Sequence, residues 1–185
     1  MQFNTCHIPS IILVDLQLHG DERGFFMETF RENTFQENGI PNRFLQDNCS
    51  RSGKHILRGM HYQIEHPQGH LVWVTQGKIF DVGVDLRLHS PTFGKWFGIT
   101  LSADKPQRLY LPPGIAHGFC TLANINDIHY KCTDYYNADD EHGLNWNDPT
   151  VGIHWPISKP NLNLRDTHFP FLTDIPKNKL PKIAK

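Results

Sequence analysis

Short runs of alternating apolar and polar residues, each stopped after a few positions by glycine, proline or asparagine, fill most of this 185-residue chain. That rhythm suits strands of period two and leaves little room for helices, which need about ten or more periodic residues without a breaker. "SIILVDLQLHGDERGFFMETF" reads as two strands around a turn at "HGDERG". Further strand-like runs follow: "RFLQDNCS", "HILRGMHYQ", "HLVWVTQGKIFDVGVDLR", "WFGITLS", "RLYLPPGIAHGFCTL" and "DIHYKCTDYY". Between them lie turn formers such as "SGK", "HPQG", "HSPTFG", "ADKPQ" and "NIND". Only "RENTFQENGI" predicts a short helix, closed by Gly39 with Pro41 just beyond. The pattern predicts an all-β sandwich or barrel, and a jelly roll in particular.

Length and composition bound the rest. Residues 1–185 suffice for a single domain with a substantial core. From about residue 140 the chain becomes turn-rich, yet "EHGLNWNDPTVGIHWPISKPNLNLRD" keeps two tryptophans and several aliphatics, which predicts an ordered tail packed on the barrel. The basic, proline-rich end "DIPKNKLPKIAK" is expected to fray from about residue 176. A formal charge of -1 gives no reason to expect a nucleic-acid or membrane-surface partner. Four cysteines without a C-x-x-C pair, and no basic-then-apolar leader, point to reduced thiols in a cytoplasmic protein.

The stretch "LRGMHYQ" (57–63) raises the question of chemistry. Small jelly rolls of the cupin type often hold a metal through an H-x-H pair and a later histidine. Here His61 is followed at that spacing by Gln63, and only the later "PPGIAH" at His117 fits, so no metal is expected. Side chains must then do the work. His61 and Arg58 point to opposite faces of a regular strand and share a cavity only if Gly59 marks a bulge. A histidine base, a tyrosine acid such as Tyr130 and nearby cations suit proton removal beside a carbonyl. Asp166 in the tail is a candidate to orient the imidazole.

Taken together, "GDERGFFMETF", "QDNCSRS", "LRGMHYQ", "QGHLV", "GKIFDVGVDLRLHSPTFGKWFG", "LPPGIAHGF", "YKCTDYY" and "GLNWNDPTVGIHWP" resemble the nucleotide-sugar 3,5-epimerases, in order from residue 8 to about 166. The resemblance implies a metal-free cupin jelly roll (a double-stranded β-helix) and a homodimer exchanging N-terminal strands. It implies a dTDP-4-keto-6-deoxy-hexose substrate and no dissociable cofactor. It assigns His61 as base, Asp166 as its orienting carboxylate and Tyr130 as the acid on the opposite face. It puts Arg58 and His117 around the sugar and phosphates, and Arg23, Phe26, Glu28, Gln46, Asn48, Tyr136 and Glu141 around the nucleotide. The thymine would stack between Phe26 and Tyr136, one from each subunit, with Arg23 and Arg58 on the diphosphate. Two residues depart from the family pattern: His70 stands where a lysine faces the enolate, and Trp73 replaces an arginine. A protonated His70 would still donate to that oxygen, so stabilisation is expected to depend on pH. Inversion of C3 alone or C5 alone, and a catalytically silent sugar-nucleotide binding cupin, are the alternatives.

Overall fold

The computed structural model describes residues 1–41 and 43–182. Its strands are β1 (Gln2–Thr5), β2 (Ile12–Asp15), β3 (His19–Asp21), β4 (Gly24–Phe26), β5 (Gln46–Ser52), β6 (Leu57–Gln63) and β7 (His70–Gln76), followed by β8 (Lys78–Asp85), β9 (Trp96–Ser102), β10 (Gln107–Leu111), β11 (Ile115–Thr121), β12 (Asn126–Cys132) and β13 (Glu141–Gly143). One helix, α1 (Glu32–Glu37), occupies the expected place, and the chain leaves it through Gly39 at a positive φ of 81°.

Two antiparallel sheets form the body. The first has the order β1-β2-β10-β7-β12-β5 and the second β13-β6-β11-β8-β9. Their inner faces meet in a core that joins Val72, Val74, Leu109 and Ile128 of the first sheet to Ile79, Leu101, Ile115 and Phe119 of the second. At about 25 cal/mol per Å², burying side chains of this kind is the main stabilising contribution. The hairpin β3–β4 forms a two-stranded sheet of its own, with Phe25 and Phe26 65% and 70% exposed.

The tail is ordered because the second sheet is apolar on both faces. In β8, Ile79 faces inward, whereas Val82 and Val84 face outward against Leu144, Val151, Ile175 and Leu180. The expected fraying from residue 176 is not found as far as Lys182. Tyr62 Oη donates to the Lys179 carbonyl at 3.0 Å, Leu88 N–H donates to the Pro181 carbonyl at 2.7 Å, and Leu180 is buried. Apolar Leu180 outweighs the basic composition around it. Residues 183–185 of that predicted segment lie outside the described residues. β1 pairs in register with β2 of its own chain from Gln2–Asp15 to Thr5–Ile12, at the edge of the first sheet.

Candidate active site

A cavity of about 310 Å³ opens between the two sheets. Period two selects its lining. From the first sheet come Gln46, Asn48 and Ser50 of β5, His70 of β7 and Tyr130 of β12; from the second come Arg58 and His61 of β6 and His117 of β11. Asp47, Lys131 and Trp73, out of phase with these on the same strands, turn to the outer face. There Lys131 binds Asp47 at 2.7 Å, and Trp73 stacks on His129 beneath the Arg108 guanidinium.

Arg58 and His61 share the cavity because β6 bulges. His61 pairs with His117 but Arg58 pairs with Phe119, so three steps along β6 oppose two along β11. Gly59 stands inside this irregularity at φ 130°, and a Cβ there would lie 2.5 Å from Gly118 Cα. The glycine is required sterically.

The tail brings the carboxylate. Leu144 and Met60 exchange backbone hydrogen bonds midway along β6, and Leu57 N–H donates to the Asn161 carbonyl at its start. The chain between them must fold back over β6. Phe169 packs flat on Gly143, where a Cβ would come within 2.3 Å of its ring, and stands edge-on to His61 with centroids 5.6 Å apart. Asp166, fully buried, then accepts from His61 Nε2 at 2.9 Å and from Gly59 N–H at 3.1 Å, while Asn163 Oδ1 accepts its own N–H at 2.7 Å. Burial would raise the Asp166 pKa, but the His61 bond, Gly59 N–H and Arg165 outweigh it and hold the carboxyl below its ordinary value. It is a carboxylate throughout the neutral range. With Nε2–H fixed on Asp166, His61 Nδ1 carries the free lone pair.

Glu141 stands closer to this base than a purely nucleotide-holding role would place it. One oxygen lies 3.7 Å from His61 Nδ1, and the other accepts from Tyr136 Oη at 2.9 Å and pairs with Arg165. Gln46 accepts from Tyr136 N–H at 2.9 Å and donates to Asn48 at 3.0 Å, and Arg58 donates to Ser52 Oγ at 3.2 Å. Tyr130 is a phenol at neutral pH, since burial, aided by Cys132, pushes its pKa upward.

His70 corrects the expectation of a conditional positive charge. Enclosure in the cup, with His117 and His61 nearby, pushes its pKa down to about 3, which keeps the ring neutral around pH 7. Three predicted residues are not brought to the cavity by their own chain. Arg23 is bound to Asp21, Glu28 to Arg31, and Phe26 projects from the β3–β4 hairpin. Sequence reasoning missed Asp81, which is fully buried with both oxygens 3.1 Å from His117 Nε2. Its signal was present in "KIFDVGVD", where Asp81 falls in phase with inward Ile79. Arg165 and Gln68 also line the cavity, and no local pattern marks them. Gln63, standing at the second position of the broken H-x-H pair, is engaged with the His66 carbonyl and Asn137 N–H. Among the described residues, no group of three or more His, Cys, Asp or Glu is arranged to hold a metal ion.

The model of the dTDP-4-dehydrorhamnose 3,5-epimerase family matches residues 5–174. The chain belongs to that family. It is thus an isomerase, built on the cupin-type jelly roll of its structural neighbours. It is 52% identical over 160 residues to a dTDP-4-dehydrorhamnose 3,5-epimerase of Neisseria gonorrhoeae, covering 86% of this chain but about half, 49%, of that protein. A like-named protein of Methanothermobacter thermautotrophicus is 46% identical over 156 residues, with 84% of each chain covered. The dTDP-6-deoxy-D-glucose-3,5-epimerase of Legionella pneumophila, solved in complex with dTDP-4-keto-L-rhamnose, superposes with a TM-score of 0.95 at 41% identity. The match covers 100% of this chain and 99% of that one. No helix of the described residues is long and apolar enough to cross a membrane.

Proposed function

We propose that this epimerase inverts C3 and C5 of a dTDP-4-keto-6-deoxy-hexose, with His61 as base, Asp166 as its orienting partner and Tyr130 as acid. The observation that carries the reading is the opposition of two groups across one cavity: His61 of the second sheet, paired at 2.9 Å with Asp166 of the tail, and Tyr130 of the first sheet. A sugar ring lying between the sheets meets a base on one face and a proton donor on the other. His61 Nδ1 takes the proton from a carbon beside the C4 ketone, and the electron pair moves onto the ketone oxygen. Asp166 stabilises the imidazolium, and the Tyr130 phenol returns a proton to the carbon from the far side. Only carbons adjoining the ketone are acidic enough, which limits the reaction to C3 and C5. No dissociable cofactor enters these steps.

Arg58 and Arg165 supply cations at the cavity for the diphosphate, and half-exposed Tyr136 offers a face for the thymine. We assign Arg23, Phe26 and Glu28 to the cavity of a second copy, in a homodimer that exchanges the β3–β4 hairpin. Two adjacent exposed phenylalanines on a strand pair without further sheet neighbours support this assignment. Since strands and tail build one site, residues 1–185 form one catalytic domain, and a soluble nucleotide sugar as substrate fits a cytoplasmic location.

Incubation with dTDP-4-keto-6-deoxy-glucose in heavy water, read by mass spectrometry, tests the chemistry. Two deuterons per sugar are expected. One deuteron selects a single-centre epimerase, and none refutes the reading. His61→Ala should abolish exchange with nucleotide affinity nearly unchanged, because a base acts on the barrier; substantial residual exchange would remove His61 from the role. Sedimentation of the full chain should give a dimer, and a monomer at assay concentration would refute hairpin exchange.

A further inference from the structure

A second histidine–carboxylate pair lies in the same cavity and has no part in the chemistry above. His117 Nε2 faces both oxygens of buried Asp81 at 3.1 Å, and its Nδ1 meets His70 Nδ1 at 3.2 Å. Such a nitrogen–nitrogen contact holds one proton between two lone pairs, so the two rings cannot choose their tautomers separately. Asp81 is fully buried and finds its partner in His117, and a buried carboxylate requires a compensating charge. An imidazolium at His117 would supply that charge and would donate its Nδ1–H to His70 Nδ1. His70, neutral as described above, must then carry its proton on Nε2. That nitrogen has only a long contact of 3.4 Å, to Gln68 Oε1, and it sits beside Tyr130 with ring centroids 5.5 Å apart. It is a weakly engaged donor in the cavity.

We propose that His117 and His70 form a two-ring proton wire, anchored on Asp81, that donates to the substrate's ketone oxygen through His70 Nε2–H. The proposal rests on the epimerase reading and specifies how this chain, without a lysine at position 70, stabilises the enolate. As His61 Nδ1 removes the carbon proton, the C–H pair becomes the C=C bond and the carbonyl π pair moves to oxygen. Oxygen takes the Nε2 proton of His70, His70 Nδ1 takes the Nδ1 proton of His117, and His117 is left neutral with Nε2–H still on Asp81. One positive charge disappears at His117 and one appears at His61 beside Asp166. The site's total charge is unchanged, and the intermediate is a neutral enol. Reprotonation of carbon reverses the wire. His70 touches substrate and is catalytic; His117 and Asp81 are positioning residues.

Two measurements test the wire. In ¹⁵N spectra of histidine-labelled, ligand-free protein at neutral pH, His70 should be the neutral Nε2–H tautomer and His117 an imidazolium that becomes neutral in Asp81→Asn. A charged His70, a neutral His117 or an unaltered His117 in the variant would overturn the proposal. In the exchange assay, Asp81→Asn should lower kcat about 10²-fold, the effect of losing one preorganised donor to a developing oxyanion, with KM within about threefold. In the His70→Lys background, where the cation at position 70 needs no relay, the same substitution should cost less than about threefold. Equal losses in both backgrounds would make Asp81 merely structural and refute the wire. Absence of exchange in the unmodified protein would overturn the epimerase reading itself, which is distinct from an active protein indifferent to Asp81→Asn.

Discussion

Asp166→Asn isolates the orienting role of the tail, because it keeps the shape and removes the charge. The two oxygens of Asp166 accept from different donors, His61 Nε2 at 2.9 Å and Gly59 N–H at 3.1 Å. An asparagine offers one acceptor and one donor in their place. If its oxygen faces Gly59, its amide donates to His61 Nε2, the imidazole proton moves to Nδ1, and the base is lost. If its oxygen faces His61, two N–H groups confront each other near Gly59 in a fully buried position. Restoring the productive tautomer thus costs about 1–3 kcal/mol for the unsatisfied group, and the lost charge-assisted bond to the imidazolium costs about 1.5–3 kcal/mol more. Together, roughly 2.5–6 kcal/mol on the barrier corresponds to a rate lower by about 10²–10⁴. Single-turnover deuterium exchange should show this loss in the chemical step, with nucleotide binding within about threefold. A loss below tenfold, or one seen wholly in KM, would refute the tautomer reasoning.

Tyr130→Phe should separate exchange from inversion: His61 still removes and returns the proton on one face, so deuterium enters while NMR of the sugar shows formation of epimer down by about 10²-fold or more. Equal loss of both would deny Tyr130 the acid role. Gly59→Ala should abolish activity and lower the urea midpoint strongly, since its Cβ would strike Gly118 Cα at φ 130°; wild-type stability would mean that the bulge is not required. Asp85 is fully buried and bound by Arg87, Ser90 and Thr92; burial raises its pKa, but these bonds outweigh burial and lower it from 3.8. A carboxylate with a depressed folded pKa stabilises above its unfolded value and loses that stabilisation as pH falls through the folded one. The chain should therefore lose stability below about pH 4. Asp85→Asn should cost about 3 kcal/mol at neutral pH by stranding Arg87, and should flatten this acid limb in urea titrations. An unchanged acid limb would count against Asp85 as a contributor.

The all-β character was legible because period two and regular turn residues are local properties, written into each segment separately. Period two also sets Gln46 and Asn48 of β5 on one face, and Tyr130 opposite in phase to Lys131, but their roles came from the family resemblance and not from the alternation. The bulge at Gly59 was only conditional in the sequence, since a glycine marks where a strand can deform without saying that it does. Tertiary structure decided the rest. Asp166 reaches His61 from 105 positions away through the fold of an irregular tail, and no local pattern encodes such a distance. Asp81 gained its partner only when β8 and β11 paired, and His70 became neutral only when enclosed beside His117. Residue types fix which chemistry is available, because donors, acceptors and charges are properties of side chains. Protonation states and partners depend on burial and on neighbours remote in the chain, so they are settled by the packed structure alone.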